Sequence, residues 1–263
     1  MCVALYAAVA ALGGLGDRPR LIVMGGDPAP GLLVNLTRGT RPFDPPDLAR
    51  PTVVFIHGLN LAPGIVHFEM GQRLAEAIAR RREPGPGFNV LAWDWNAATF
   101  AGLRSRANEE VAVQQGGALA AALRRAGIAP GRTHLIGHSS GCIVAVSAAR
   151  GLAAGPGQAV ARLTLLDPAA IHHPLVFDQL AAGSSALRVE NFWTPGPSGY
   201  GREAARAGVR DVRIDGPSPY LGLVRPSRSN HLHLVQWYLQ TAGDVTIPAG
   251  FNASIPRLEM APR

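Results

Sequence analysis

Short apolar runs alternating with helical patterns constrain this chain more than any other feature. Thr52 to Ile56 (TVVFI) is continuously apolar after its threonine. That is the mark of a strand buried on both faces rather than one face turned to water. Asn89 to Trp95 (NVLAWDW), Thr133 to Ile136 (THLI) and Arg162 to Leu166 (RLTLL) read as further strands, as do Leu32 to Thr37, Leu187 to Phe192 and Val209 to Ile214. Between them the spacing predicts helices over Glu69 to Arg82, with Leu74 and Ile78 on one side, and over Arg106 to Arg125, Cys142 to Ala154 and His231 to Gln240. Pro84-Gly85-Pro86-Gly87 and Gly155-Pro156-Gly157 stop the first and third of these. Alternating β and α with apolar strands indicates an α/β chain: a mostly parallel central sheet with helices on both faces. No internal repeat, heptad or linker divides it, so residues 20–263 are expected to form one α/β domain after an apolar N-terminal segment, residues 1–19.

Charge decides which partners are excluded. The chain carries a formal +7, yet it has no lysine, and all 25 cationic residues are arginine. With Gly at 31 and Pro at 22 of 263 residues, this is the joint excess that a GC-rich genome imposes. The arginines are scattered; Arg80-Arg81-Arg82 and Arg124-Arg125 are adjacent, but at helix C-termini, where cations complement the dipole. Nucleic-acid binding needs clustering and interleaved aromatics, and is not expected. Met1 to Gly16 is apolar but shorter than the roughly 20 residues that span a bilayer, so no integral membrane span is expected. It resembles a secretory h-region, but no cation precedes Arg18, and cytoplasmic and exported locations stay equally open. Cys2 and Cys142 make no disulfide framework, and Cys142 reads as an inert core thiol.

Gly137-His138-Ser139-Ser140-Gly141 lies between the strand ending at Ile136 and the helix near Cys142. G-x-S-x-G at a strand-to-helix turn is a nucleophile elbow: the turn is too tight for side chains at the flanking glycines, and strained backbone lifts the serine hydroxyl above the sheet edge. A serine hydroxyl is a poor nucleophile and needs a base, which needs an orienting carboxylate; at such an elbow they follow in the order Ser, acid, His. Asp167 ends the strand Arg162 to Leu166 and is the first candidate acid, with Asp211 and Asp215 as competitors. His231 and His233 lie late enough to serve as base, whereas His172-His173 read as plain loop and no metal site is expected. An oxyanion hole needs two N–H groups. Ser140 supplies one, and the loop His57-Gly58-Leu59-Asn60, following the strand Thr52 to Ile56, the other.

Together these pieces resemble the α/β-hydrolase superfamily, and within it the pancreatic-lipase-like branch of serine esterases and lipases, over about Leu32 to Leu239. Phe55-Ile56-His57-Gly58 is similar to that branch's oxyanion strand-loop, which implies Leu59 N–H as the donor beside Ser140. Ala92-Trp93-Asp94-Trp95 resembles its V-D-W strand, whose aspartate is structural, and Leu166-Asp167-Pro168-Ala169 resembles its L-D-P-A. The branch takes its acid after the strand that follows the nucleophile strand, which implies Asp167, 28 residues beyond Ser139. Asn230-His231-Leu232 followed by Trp237-Tyr238 resembles its N-H-L with paired aromatics, which implies His231 over His233. The resemblance implies a serine hydrolase acting on small-molecule or lipid esters without cofactor or metal. The short Gly216 to Asn230 segment stands where that branch carries a long lid, so a short or absent lid is expected, and dispersed esters rather than oil–water interfaces. A thioesterase, amidase or acyltransferase on the same residues, or a silent binding scaffold, are the alternative readings.

Overall fold

A computed structural model describes residues 31–59, 66–81, 87–99, 105–154, 159–169, 175–181, 185–195, 200–214 and 230–252. Its strands are β1 (Leu32–Asn35), β2 (Thr52–Ile56), β3 (Asn89–Asp94), β4 (Thr133–His138), β5 (Arg162–Leu166), β6 (Val189–Trp193) and β7 (Val209–Arg213). Its helices are α1 (Val66–Ala79), α2 (Asn96–Thr99), α3 (Ser105–Arg125), α4 (Gly141–Ala153), α5 (Leu175–Ala181) and α6 (Asn230–Gly243). The strands form one seven-stranded sheet in the order β1-β3-β2-β4-β5-β6-β7. Only β1 runs antiparallel, paired with β3 from Leu32↔Asp94 to Asn35↔Leu91. The other pairings are all parallel. This is the α/β-hydrolase fold.

Pleating divides each strand between two cores. In β2, Val54 and Ile56 join Leu119 and Leu123 of α3 and Ile143 and Val146 of α4 on one face. Val53 and Phe55 join Leu74 and Ile78 of α1 and Leu234 and Tyr238 of α6 on the other. All five β2 residues are buried, which is why no polar position interrupts the run. Each such apolar side chain contributes roughly 1.5–3 kcal/mol when removed from water.

Several arginines serve the fold itself. Arg162, at the start of β5, meets the buried Glu190 carboxylate at 2.6 Å and donates to the Phe251 and Gly250 carbonyls at 2.9 and 3.1 Å. Arg188 and Arg210 reach the other oxygen of Glu190 at 3.3 and 3.1 Å. Arg124 and Arg125 occupy the last turn of α3 as expected. Helix α1 ends at Ala79, so Arg80 and Arg81 lie beyond it, and Arg81 instead bonds the Ala242 carbonyl at 2.9 Å, tying α1 to α6.

Other boundaries also move. β4 runs on through Gly137 and His138, because their backbone continues the ladder to Leu165 and Leu166 of β5. α6 starts at Asn230, one residue before the expected start, and runs on to Gly243, with His231 in its first turn. The single-turn α2 and the seven-residue α5 are too short to show a helical period in sequence. Cys2, Asn60, His172, His173 and Asp215, with the N-terminal segment and residues 216–229, lie outside the described residues. Among the described residues no helix is long and apolar enough to cross a membrane.

Candidate active site

The turn from β4 into α4 consists of Ser139 and Ser140 alone. Ser139 has φ 55°, a left-handed conformation costing a non-glycine residue roughly 1–3 kcal/mol. The flanking glycines are required by backbone contact. A Cβ on Gly137 would stand 2.6 Å from the Gly141 carbonyl oxygen and 2.7 Å from Cys142 Cα. The Ser139 N–H donates to the Leu166 carbonyl at 3.0 Å, anchoring the elbow to the end of β5. Ser140 opens α4 with ordinary helical angles, and its Oγ is buried without a partner among the described residues. The Cys142 thiol, also buried, donates to the Gly137 carbonyl at 3.2 Å, and burial pushes its pKa well up, as suits a structural thiol and not a nucleophile.

Asp167 immediately follows β5, is fully buried and has φ 43°. Its carboxylate faces four donors. Oδ1 accepts the Thr194 and Gly201 N–H groups at 3.1 and 3.0 Å. Oδ2 accepts the Tyr200 N–H at 3.1 Å and His231 Nδ1 at 2.5 Å. A set of donors alone matches a carboxylate, which only accepts. It also makes Nδ1 the donating nitrogen of His231 in this bond. The His231 ring is held between His138, 4.4 Å away between centroids, and Tyr200, 4.6 Å away and edge-on at 80°. His138 is the residue before Ser139, so the imidazole packs against the side chain next to the elbow serine.

Two of the competitors, His233 and Asp211, lie among the described residues and are bonded differently. His233 is buried two residues on, and burial lowers its pKa; Asp167 is bonded by His231. Asp211 accepts from Asn191 Nδ2 at 2.6 Å and from the Ala204 and Ala205 N–H groups at 2.9 and 3.2 Å, shaping the turn before β7. Beyond β2, Gly58 packs against the elbow: a Cβ there would lie 2.7 Å from Ser139 Cβ and 3.3 Å from its Oγ. Leu59 follows, half-buried. Among the described residues no group of three His, Cys, Asp or Glu could hold a metal ion.

Sequence reading missed Thr194, Tyr200 and Gly201. All three reach Asp167 through backbone N–H groups, which no side-chain motif records. Gly201 alone left a trace, since a Cβ there would come 2.5 Å from Asp167 Oδ1.

An elbow serine, a buried Asp–His pair and a glycine loop at the C-terminal ends of parallel strands are where an α/β-hydrolase fold carries its chemistry. No protein-family model and no curated protein sequence matches the chain. Among solved structures it is similar to Thermogutta terrifontis esterase 2 phosphorylated by paraoxon, at 14% identity over 78% of this chain and 85% of that one, with a TM-score of 0.47. It is similar to the native form of that esterase at 14% identity over 86% and 90% of the two chains, with a TM-score of 0.45. An esterase of Pyrobaculum calidifontis is similar at 18% identity over 82% and 85%, with a TM-score of 0.43.

Proposed function

We propose that the chain is a serine hydrolase that cleaves carboxylic esters, with Ser139 as nucleophile, His231 as base and Asp167 as its orienting acid. The observation that carries this reading is the 2.5 Å bond joining His231 Nδ1 to Asp167, 64 residues apart, with the ring set against His138 beside a serine at φ 55°. Chain order is Ser, Asp, His, as an elbow of this kind requires.

The cycle follows from these roles. His231 Nε2 takes the Ser139 proton as Oγ attacks the acyl carbon, and the carbonyl π electrons move onto oxygen. Asp167 holds the imidazole in the Nδ1–H tautomer and balances the imidazolium charge. The Leu59 and Ser140 N–H groups stabilise the oxyanion, each by roughly 3–4 kcal/mol in the transition state. Collapse breaks the C–O bond, and His231 protonates the departing alcohol. Water, deprotonated by His231, then attacks the acyl-enzyme; its collapse releases the acid and returns the proton to Ser139. Every proton and electron pair is handled by the chain's residues, the substrate and water.

A fluorophosphonate probe tests this together with a panel of p-nitrophenyl esters, thioesters and anilides. Wild type should be labelled and hydrolyse the esters fastest, and Ser139→Ala should abolish both. His231→Ala should reduce kcat by about 10⁴ or more, whereas His233→Ala should leave it within about tenfold. Well-folded wild type that is neither labelled nor active would refute the reading.

A further inference from the structure

We propose that His57 is a positioning residue that aims the Leu59 N–H at the oxyanion; this rests on the ester-hydrolase reading and assigns a role within it. His57 is 3% exposed, and both ring nitrogens are engaged. Nδ1 lies 2.7 Å from the Gly58 carbonyl oxygen, and Nε2 lies 3.1 Å from the Trp95 backbone N. A carbonyl only accepts and a backbone N–H only donates, so the two partners together select the Nδ1–H tautomer. Trp95 holds the residue a second time, its indole N–H donating to the His57 carbonyl at 2.8 Å while the rings stack at 5.7 Å and 23°. Asp94 fixes that end of β3 in turn: its Oδ1 accepts the Asn96 N–H at 3.0 Å and stands 3.5 Å from His57 Nε2.

Sheet order gives this clamp a direction. β2 lies between β3 and β4; Trp95 follows β3, and Ser139 follows β4. The bond from His57 Nδ1 draws the Gly58 carbonyl toward the β3 side. In a trans peptide C=O and N–H point in opposite directions, so the Leu59 N–H of the same unit is turned to the β4 side. Ser139 stands there, its Cβ 2.7 Å from where a Gly58 Cβ would be. The imidazole thus sets the orientation of one peptide plane without touching substrate. It also explains why the loop begins with histidine: few side chains can donate to the next carbonyl and accept from a neighbouring strand at once.

Two substitutions separate the two bonds. In His57→Asn the amide nitrogen falls where Nδ1 was and can still donate to Gly58. In His57→Gln the amide oxygen falls where Nε2 was and keeps only the Trp95 bond. Rates on a p-nitrophenyl ester, normalised by fluorophosphonate titration, should leave the asparagine variant within about fivefold of wild-type kcat. The glutamine variant should lose about 10²-fold in kcat with KM within threefold, because the oxyanion forms only in the transition state. Its affinity for an alkylboronic acid, which forms a tetrahedral adduct on the serine, should fall by the same factor. His57→Leu, lacking both nitrogens, carries the same expectation and replaces the glutamine variant if that fails to fold. Equal kcat in the asparagine and glutamine variants, or a loss confined to KM, would overturn the assignment while an active, labelled wild type leaves the ester-hydrolase reading standing. An unlabelled, inactive wild type would remove both.

Discussion

Replacing Asp167 with asparagine changes one oxygen to an NH₂ group and should be severe for a reason legible in its four bonds. Each orientation of the amide faces donors. With Nδ2 in the place of Oδ1 it meets the Thr194 and Gly201 N–H groups, and both lose their acceptor. With Nδ2 in the place of Oδ2 it meets the Tyr200 N–H and His231 Nδ1. The second arrangement strands one backbone donor, at about 1–3 kcal/mol, and forces His231 into the tautomer with its proton on Nε2. That nitrogen can no longer take the proton of Ser139. The expected loss in kcat is ~10⁴-fold, about 5 kcal/mol of transition-state stabilisation, with Tm lower by roughly 2–12 °C from the stranded donor. Steady-state hydrolysis of a p-nitrophenyl ester measures the first, and thermal melting the second. Activity within tenfold of wild type in a folded Asp167→Asn protein would refute the tautomer argument. A severe effect of Asp211→Asn on kcat, with Asp167→Asn mild, would move the acid to another strand.

Stability should respond to acid through His134. Burial, assisted by the Arg162 cation, holds its pKa well below the usual 6.5, while Nε2 lies 2.8 Å from Thr164 Oγ1. The unfolded chain takes up a proton near that usual value and the native state resists it, so this contribution is intact above pH 6.5 and is lost below it, by up to ~1.4 kcal/mol per pH unit. His134→Gln, which keeps a polar atom near Thr164 but does not titrate, should flatten the fall in stability below pH 6.5 in urea unfolding; parallel acid limbs would refute it. Adjacent glycines of α3 should give opposite signs. Gly117 is exposed with open space where a Cβ would go, so Gly117→Ala should stabilise by about 0.5–1 kcal/mol. A Cβ on Gly116 would meet the Val144 carbonyl oxygen at 2.8 Å and the Ala148 N at 3.0 Å, so Gly116→Ala should destabilise by about 1–3 kcal/mol in the same assay.

What the sequence revealed and withheld divides along a physical line. Side-chain chemistry was legible: the apolar runs marked strands buried on both faces, and the paired glycines marked an elbow whose backbone leaves no room for a Cβ. An aspartate after a buried strand could be placed at the sheet's C-terminal edge. Residues acting through their backbone left little to read, as with Thr194 and Tyr200 on Asp167. The end of β4 was misplaced for a related reason: His138 is held in the strand by its register with Leu166, a partner far away in the chain.

His231 and His233 show the same boundary more sharply. By residue type and chain order alone, the segment Ser229 to His233 offers both imidazoles on equal terms, and only resemblance to a family separates them. As a helix from Asn230 it does not, because residues two apart point about 200° apart around the axis. One helix face turns to Asp167, and His231 occupies it. In the proposed mechanism, backbone conformation and not residue type selects the base, and the same holds for the proposed oxyanion donor. Leucine at position 59 has no chemistry to offer a carbonyl oxygen. Its usefulness depends on which way one peptide plane faces, and the neighbouring histidine, bonded to that plane's carbonyl, is the residue placed to decide it.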